Sequence, residues 1–182
     1  MSAHLFPDNT VLCNFASVHQ LDLLAKLLDG NGRWVEAVAH ECDRSRQFYP
    51  DLATVHSDGW LGEPIEICDE ADTRQVEGIR KAVFGGTDAQ PTQHLGEAQS
   101  IHILTRWPDY KDSVWLSDDR ESLRVARNQG VAVRETQHLV AEAIQWGFIA
   151  TAEAGFTMLQ QMVAEGQHPA VPHRATDLLN LE

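Results

Sequence analysis

The chain has 182 residues, with 14 Lys and Arg against 27 Asp and Glu for a formal charge of −13, and 43% of its residues are hydrophobic. This is the composition of one folded domain and excludes a disordered or fibrous chain. No apolar run approaches the ~20 residues that span a bilayer, and the acidic balance excludes nucleic-acid binding by bulk charge, so a polyanion must be met by a local basic patch or a metal ion.

The N-terminal MSAHLFPDN has no basic region followed by an apolar stretch, so a secretory leader is not expected. Cys13, Cys42 and Cys68 are odd in number and form no CxxC pair, which argues against a disulfide framework or structural zinc and favours reduced thiols in the cytoplasm.

In chain order, Ala3–Phe6 reads as a short buried strand closed by Pro7-Asp8-Asn9-Thr10, residues suited to a turn or helix cap. Leu21, Leu24, Leu27 and Leu28 fall at helical spacing up to Gly30-Asn31-Gly32. Arg33–Val35 is a second short strand and Glu36–Phe48 a helix ended by Pro50. Residues 51–68 are irregular, Asp69–Phe84 is a helix, and residues 85–91 are a loop by composition. Glu97–Arg106 follows as a helix, and Ser113–Leu116 as a strand. A helix capped by Ser117-Asp118-Asp119 then runs to Gly130, and Val131–Val133 is a strand followed by two more helices. From Gly166 on, residues 166–182 read as an extended tail.

Short strands alternating with longer helices specify a three-layer α/β/α domain with a short central parallel sheet. Neither GxGxxG nor GxxxxGK[ST] occurs, so a dinucleotide or P-loop site is not supported. In such sheets, ligands bind beyond the carboxyl ends of the strands. Asp8 and the pair Asp118-Asp119 fall at that edge, Glu41 lies within a helix, and Glu97 opens another. Taken singly, each has a plain structural role. Asp8, Asp118 and Asp119 suit helix caps, Glu97 complements a helix dipole, and Glu41 has His40, Asp43 and Arg44 as neighbours. Taken together at one edge, they form a set of hard oxygen ligands suited to Mg²⁺ or Mn²⁺ rather than zinc.

Four segments carry a resemblance. HLFPDNTVLCNFA (4–16) places a strand, an Asp, a hydroxyl residue and an apolar helix in sequence. VEAVAHECDRS (35–45) puts a Glu in a helix after a Val-x-x pattern, and HLGEAQSIHIL (94–104) has Gly-Glu-Ala opening a helix. VWLSDDRESLRVARNQGVAVRETQHLVAEAIQWGFI (114–149) runs strand, acid, helix, Gly, strand, helix. In order and spacing these segments are similar to the motifs of PIN-domain nucleases, the family that includes the VapC-type toxins. The resemblance covers about residues 3–165 and leaves 166–182 outside.

The resemblance implies a metal-dependent endoribonuclease of PIN-like fold that leaves a 5′-phosphate and a 3′-hydroxyl. Asp8, Glu41, Glu97 and Asp119 match the acids of its four motifs as catalytic residues. The metal ligands implied are Asp8, Glu97, Asp119 and the neighbouring Asp118. Thr10 matches the hydroxyl position that hydrogen-bonds within the site. A Glu stands at position 97 where the third motif commonly has Asp. A toxin-like role with an inhibitory, antitoxin-like partner, and homodimer formation, are further expectations of the family. The alternative is a PIN-fold binding or scaffold module without competent geometry. A receiver-like signalling domain, which needs an acid pair on the first strand and a phosphoacceptor on the middle one, finds neither here.

For an RNA substrate the basic residues best placed are Arg120, Arg124 and Arg127, spaced i, i+4, i+7 on one helix face, and Arg44 with Arg46 beyond Glu41. Pairing with Glu121 and neighbouring acids on a solvated face explains the first group equally well. His40 and His94 flank the acids, and the five Trp residues read as core or interface filling.

Overall fold

A computed structural model describes residues 3–181. Met1, Ser2 and Glu182, the outermost residues of the expected domain and tail, lie outside the described residues. The fold is a three-layer α/β/α arrangement around a parallel sheet of three short strands, β1 (Leu5–Pro7), β2 (Val114–Leu116) and β3 (Ala132–Arg134), in that spatial order. Phe6 stands opposite Trp115 and Trp115 opposite Val133, so the three carboxyl ends lie level. Alternate residues of β1 bond to opposite sides: Asp8 N donates to Leu116 O of β2 at 2.9 Å, while Pro7, which has no N–H, falls on the side where Leu5 bonds Asn31 and Arg33. The bond to Leu116 fixes Asp8 at the sheet's carboxyl edge.

The strand expected at Arg33–Val35 is reduced to isolated parallel bridges, Leu5 with Gly32 and Val35 with Ile65. Its backbone is still spent on neighbours, Arg33 N on Leu5 O at 2.9 Å and Glu36 N on Ile65 O at 3.1 Å. Gly32 and the early start of the next helix leave too few residues for a ladder.

Nine α-helices are assigned among the described residues. They are α1 (Asn9–Ser17), α2 (Leu21–Leu28), α3 (Glu36–Ser45), the one-turn α4 (Ala53–Ser57), α5 (Glu70–Ala82), α6 (Leu95–Arg106), α7 (Arg120–Asn128), α8 (Thr136–Gln145) and α9 (Ala152–Ala164). In α1 the run from Val11 to Ala16 is buried throughout, as expected of a helix enclosed by its neighbours. Asp69 lies outside α5 as its N-cap, its carboxylate accepting from the Ala71 and Asp72 amides. Helix α6 begins at Leu95, two residues before the expected start, so Glu97 sits within its first turn. The irregular stretch 51–68 contains α4 and a 3₁₀ turn at Pro50–Leu52.

Phe6, Leu12, Phe15, Trp34, Ile103, Leu104 and Trp115 are among the fully buried side chains of one continuous core. The tail is not simply extended: Ala175–Asn180 forms a 3₁₀ helix against α8 and α9, and Leu178 is completely buried. Burying one leucine is worth roughly 1.5–3 kcal/mol, which explains why this polar segment is held down.

Candidate active site

Asp8 leaves β1 in extended backbone (φ −81°, ψ 174°) and caps α1, its Oδ1 accepting the Val11 amide at 2.9 Å and the Thr10 hydroxyl at 2.6 Å. Asp119 holds the equivalent place after β2, capping α7 with Oδ1 on the Ser122 amide at 2.7 Å. Because β1 and β2 are adjacent and parallel, the two caps lie at one edge. Ser117 connects them, its Oγ accepting the Asp119 amide at 3.1 Å while its hydroxyl supports the Asp8 carboxylate. Cap and site geometry are therefore the same geometry here. The Oδ2 of Asp119 has no protein partner among the described residues and the residue is exposed.

Asp118 is spent differently. Its Oδ1 accepts the Thr136 amide at 3.1 Å, and its Oδ2 accepts the Asn14 amide group at 2.7 Å and the Thr136 hydroxyl. Three donors from α1 and α8 hold it, with the Asn14 amide also bonding Thr136 Oγ1 at 3.0 Å. Burial pushes the Asp118 carboxyl up, while the Thr136 and Asn14 bonds pull it down. Thr10 completes the frame by accepting the Asp118 amide at 3.3 Å as it donates to Asp8.

Glu41 comes from α3 and Glu97 from α6, which pack together. Asp8 is pushed up to about 7, first by burial, against the Ser117, Thr10 and Val11 hydrogen bonds, with Asp118 adding repulsion. Glu41 also rises to about 7, first by burial, then by the charges of Glu97 and Asp8, with Arg44 offsetting part. Glu41 therefore lies within reach of the charges of Glu97 and Asp8, whereas the charge that acts on Asp8 is that of Asp118. Glu97 is steadied by His94, Nδ1 to Oε1 at 3.2 Å, and His94 takes the left-handed conformation (φ 59°) that turns the preceding loop into α6. Cys13 and Cys42 are buried free thiols beside these acids; burial, first of all, pushes Cys13 up and Cys42 up to about 12. Neither is a ready nucleophile.

A cleft opens beside Glu41 in two lobes of about 320 and 590 Å³, with Glu41, Arg44 and Thr92 on both and Glu97 and His94 in the larger. Asp8, Asp118 and Asp119 line neither lobe. Arg44 has no ion pair within 4 Å among the described residues and faces the Glu41 charge. On α7 all three arginines are exposed. Arg124 pairs with Glu121 at 3.8 Å and Arg127 with Glu135 at 3.3 Å, while Arg120, beside Asp119, has no partner among the described residues. Arg46 is taken by Asp43 at 3.2 Å and His40 by Glu36 at 3.7 Å.

The donor chemistry, carboxylate and hydroxyl oxygen throughout, suits a hard divalent cation. Among the described residues no three His, Cys, Asp or Glu side chains stand close enough to form a preassembled metal site.

A family model described as a PIN domain matches residues 6–171, beginning in β1 and ending in the tail. The chain belongs to the PIN-domain family. Neither a curated protein nor a solved structure matches it. PIN domains are generally nucleases and act on nucleic acids; in this one Asp8 and Asp119 stand at the carboxyl edge of the sheet, while Glu41 and Glu97 come from α3 and α6.

Sequence reasoning missed residues that hold those acids in place: Asn14 and Thr136 on Asp118, and Gly96 against Glu41, while Ser117, read only as part of a cap, also supports Asp8. One of them left a trace, since Asn14 is a polar residue inside the apolar run VLCNFA and is 1% exposed. A buried polar group must find partners.

Proposed function

We propose that this PIN domain is an endoribonuclease that hydrolyses phosphodiester bonds with Mg²⁺ or Mn²⁺. What supports this reading is the buried Asp8 at the carboxyl edge of a parallel sheet, with Glu41 held up by burial and by the charges of Glu97 and Asp8. Carboxylates driven to about 7 by burial and each other are what a cation would relieve. Asp8, Glu97 and Asp119 would hold the cation, with Glu41 ligating or orienting the attacking water. When bound, the cation offsets the charge of the phosphate oxygens and lowers the pKa of bound water.

The chain's own residues set the geometry. Thr10 and Ser117 fix the rotamer of Asp8, and the Asn14–Thr136 clamp on Asp118 sets the direction in which the chain leaves β2, so that Asp119 can cap α7 and present Oδ2. Arg44 and Arg120 are the phosphate-binding cations of this reading. Arg124 joins them by giving up its long, exposed pair with Glu121, which costs little. With so few cations and a charge of −13, affinity for RNA is low.

A toxin-like role in the cytoplasm, with an antitoxin-like inhibitor and a homodimeric state, belongs to the same proposal. The exposed, edge-to-face pair Trp146 and Phe148, 6.0 Å between ring centroids, supports a protein partner. Among the described residues no helix is long and apolar enough to cross a membrane.

The spread of the carboxylates favours a second reading, a catalytically inactive binding module. Incubating a mixed RNA pool with wild type and Asp8→Asn, in Mg²⁺ and in Mn²⁺, separates the two. Cleavage by wild type alone supports the nuclease; equal cleavage by both, or none by either, overturns it.

A further inference from the structure

The smaller lobe of the cleft has Ala37 of α3 and Leu95 of α6 in its wall, and its volume of about 320 Å³ matches small-ligand sites. Gln99, one turn after Leu95, also lines it and is 8% exposed. The Gln99 Oε1 accepts the Ala37 amide at 3.0 Å, satisfying an N–H at the start of α3 from another helix. Its Nε2 has no protein partner among the described residues. Gln99 also borders a second cavity, with Ile67 and Val76, while its Oε1 is fixed on Ala37, which lines only the smaller lobe.

The lobe offers more than a donor. Glu36 lines it with a carboxylate that is 46% exposed and holds only the 3.7 Å contact to His40. Arg44 and Glu41 join the lobe to the acid cluster. Apolar wall, unpaired amide donor, acidic acceptor and adjoining cation together match a flat heterocycle that carries a ring acceptor, an amino group and a neighbouring phosphate.

We propose that this lobe is a base subsite, taking the nucleobase next to the phosphate bound at the acid cluster and favouring adenine, cytosine or guanine over uracil. Gln99 donates to a ring nitrogen or carbonyl and Glu36 accepts from the exocyclic amine, which uracil lacks. The assignment rests on the nuclease reading for the direction of the strand.

The test is an NMR titration of the ¹⁵N-labelled full chain, following the Gln99 side-chain amide with AMP, CMP, GMP, UMP and ribose 5-phosphate, in MgCl₂ and in EDTA. The Gln99 signal shifts with the three amino-bearing nucleotides, which bind about ten-fold tighter than UMP, a difference of one hydrogen bond to a charged group. Ribose 5-phosphate leaves it in place. Ala37→Leu, which fills the lobe, removes the response to all nucleotides. Glu36→Ala, at a half-buried position in the first turn of α3, equalises the four bases. The proposal is overturned if no nucleotide shifts Gln99, if ribose 5-phosphate shifts it equally, or if Glu36→Ala keeps the preference. Nucleotide shifts without RNA cleavage by wild type would instead overturn the nuclease reading and leave the subsite standing.

Discussion

The Glu41 carboxylate rests on the backbone of Gly96: a β-carbon at position 96 would stand 3.2 Å from Glu41 Oε1 and 3.1 Å from Val38 Cγ2. The glycine of the Gly-Glu-Ala motif is there for that approach. Gly96→Ala gains up to about 1 kcal/mol of helix propensity and loses a similar amount to crowding. Its unfolding midpoint therefore stays near wild type. With Glu41 displaced, cleavage falls by about ten-fold or more, read as kcat on a labelled RNA.

Asp118 and Asp119 are adjacent, but substitution should separate them. Asn caps a helix as well as Asp, so Asp119→Asn keeps the Ser122 bond and the melting temperature while cleavage drops by about 10²-fold. Asp118→Ala strands the Asn14 amide and the Thr136 N–H, destabilising the fold by about 1–3 kcal/mol. Thermal melts beside activity assays check the pair; a stable, fully active Asp119→Asn would remove Asp119 from the site.

Asp8 and Glu41 have folded-state values near 7, above the ordinary 3.8 and 4.5. A carboxyl raised on folding binds more protons in the folded state, so its contribution is complete below about pH 4 and is lost as pH climbs to 7. Glu77, lowered to about 2 first by its bonds to Arg80 and Lys81, acts oppositely and only in stronger acid. The stability of metal-free Asp8→Asn relative to wild type should therefore grow between pH 4 and 7, by on the order of a few kcal/mol. Mg²⁺ should raise the wild-type melting temperature at pH 8, much less at pH 5, and not in Asp8→Asn. Denaturant melts across pH decide it.

Arg80 is almost wholly buried, its Nη1 donating to the carbonyls of Thr87, Gln90 and Gln93 at 3.1–3.4 Å while Nε and Nη2 bond Glu77 at 2.8 Å. Gly86 packs directly against it. This one guanidinium ties the loop before Glu97 to α5. Arg80→Met should speed amide exchange at Gly86 and Leu95 while α1 keeps its protection. Arg80→Lys should not restore it, since an ammonium cannot reproduce the fork.

Arg44→Ala should raise KM and reduce the salt slope of RNA binding by about one, with kcat little changed. Arg124→Ala, which removes only the long pair with Glu121, should have a much smaller effect. Titrations at several salt concentrations check both.

Much of the fold was legible because its signals are local. The leucine spacing of α2, the Ser117-Asp118-Asp119 cap of α7 and the Gly130 stop after it act within a turn or two of chain. The strand expected at Arg33–Val35 failed for the opposite reason, since whether such a short segment makes a ladder or two bridges depends on partners 27 and 30 residues away. The tail went the same way: Leu178 found a place against α8 and α9 that no local pattern announces.

The sequence by itself determined the acids and their order, because each motif is a short run of residue types attached to a strand end or helix start. Only the tertiary structure decided how neighbours divide the work. Asp118 is spent on Asn14 and Thr136, Asp119 keeps an oxygen free, and the distant Gly96 makes room for Glu41. Hydrogen bonds and van der Waals contacts reach only a few ångströms, so which side chains share them is set by packing across the chain.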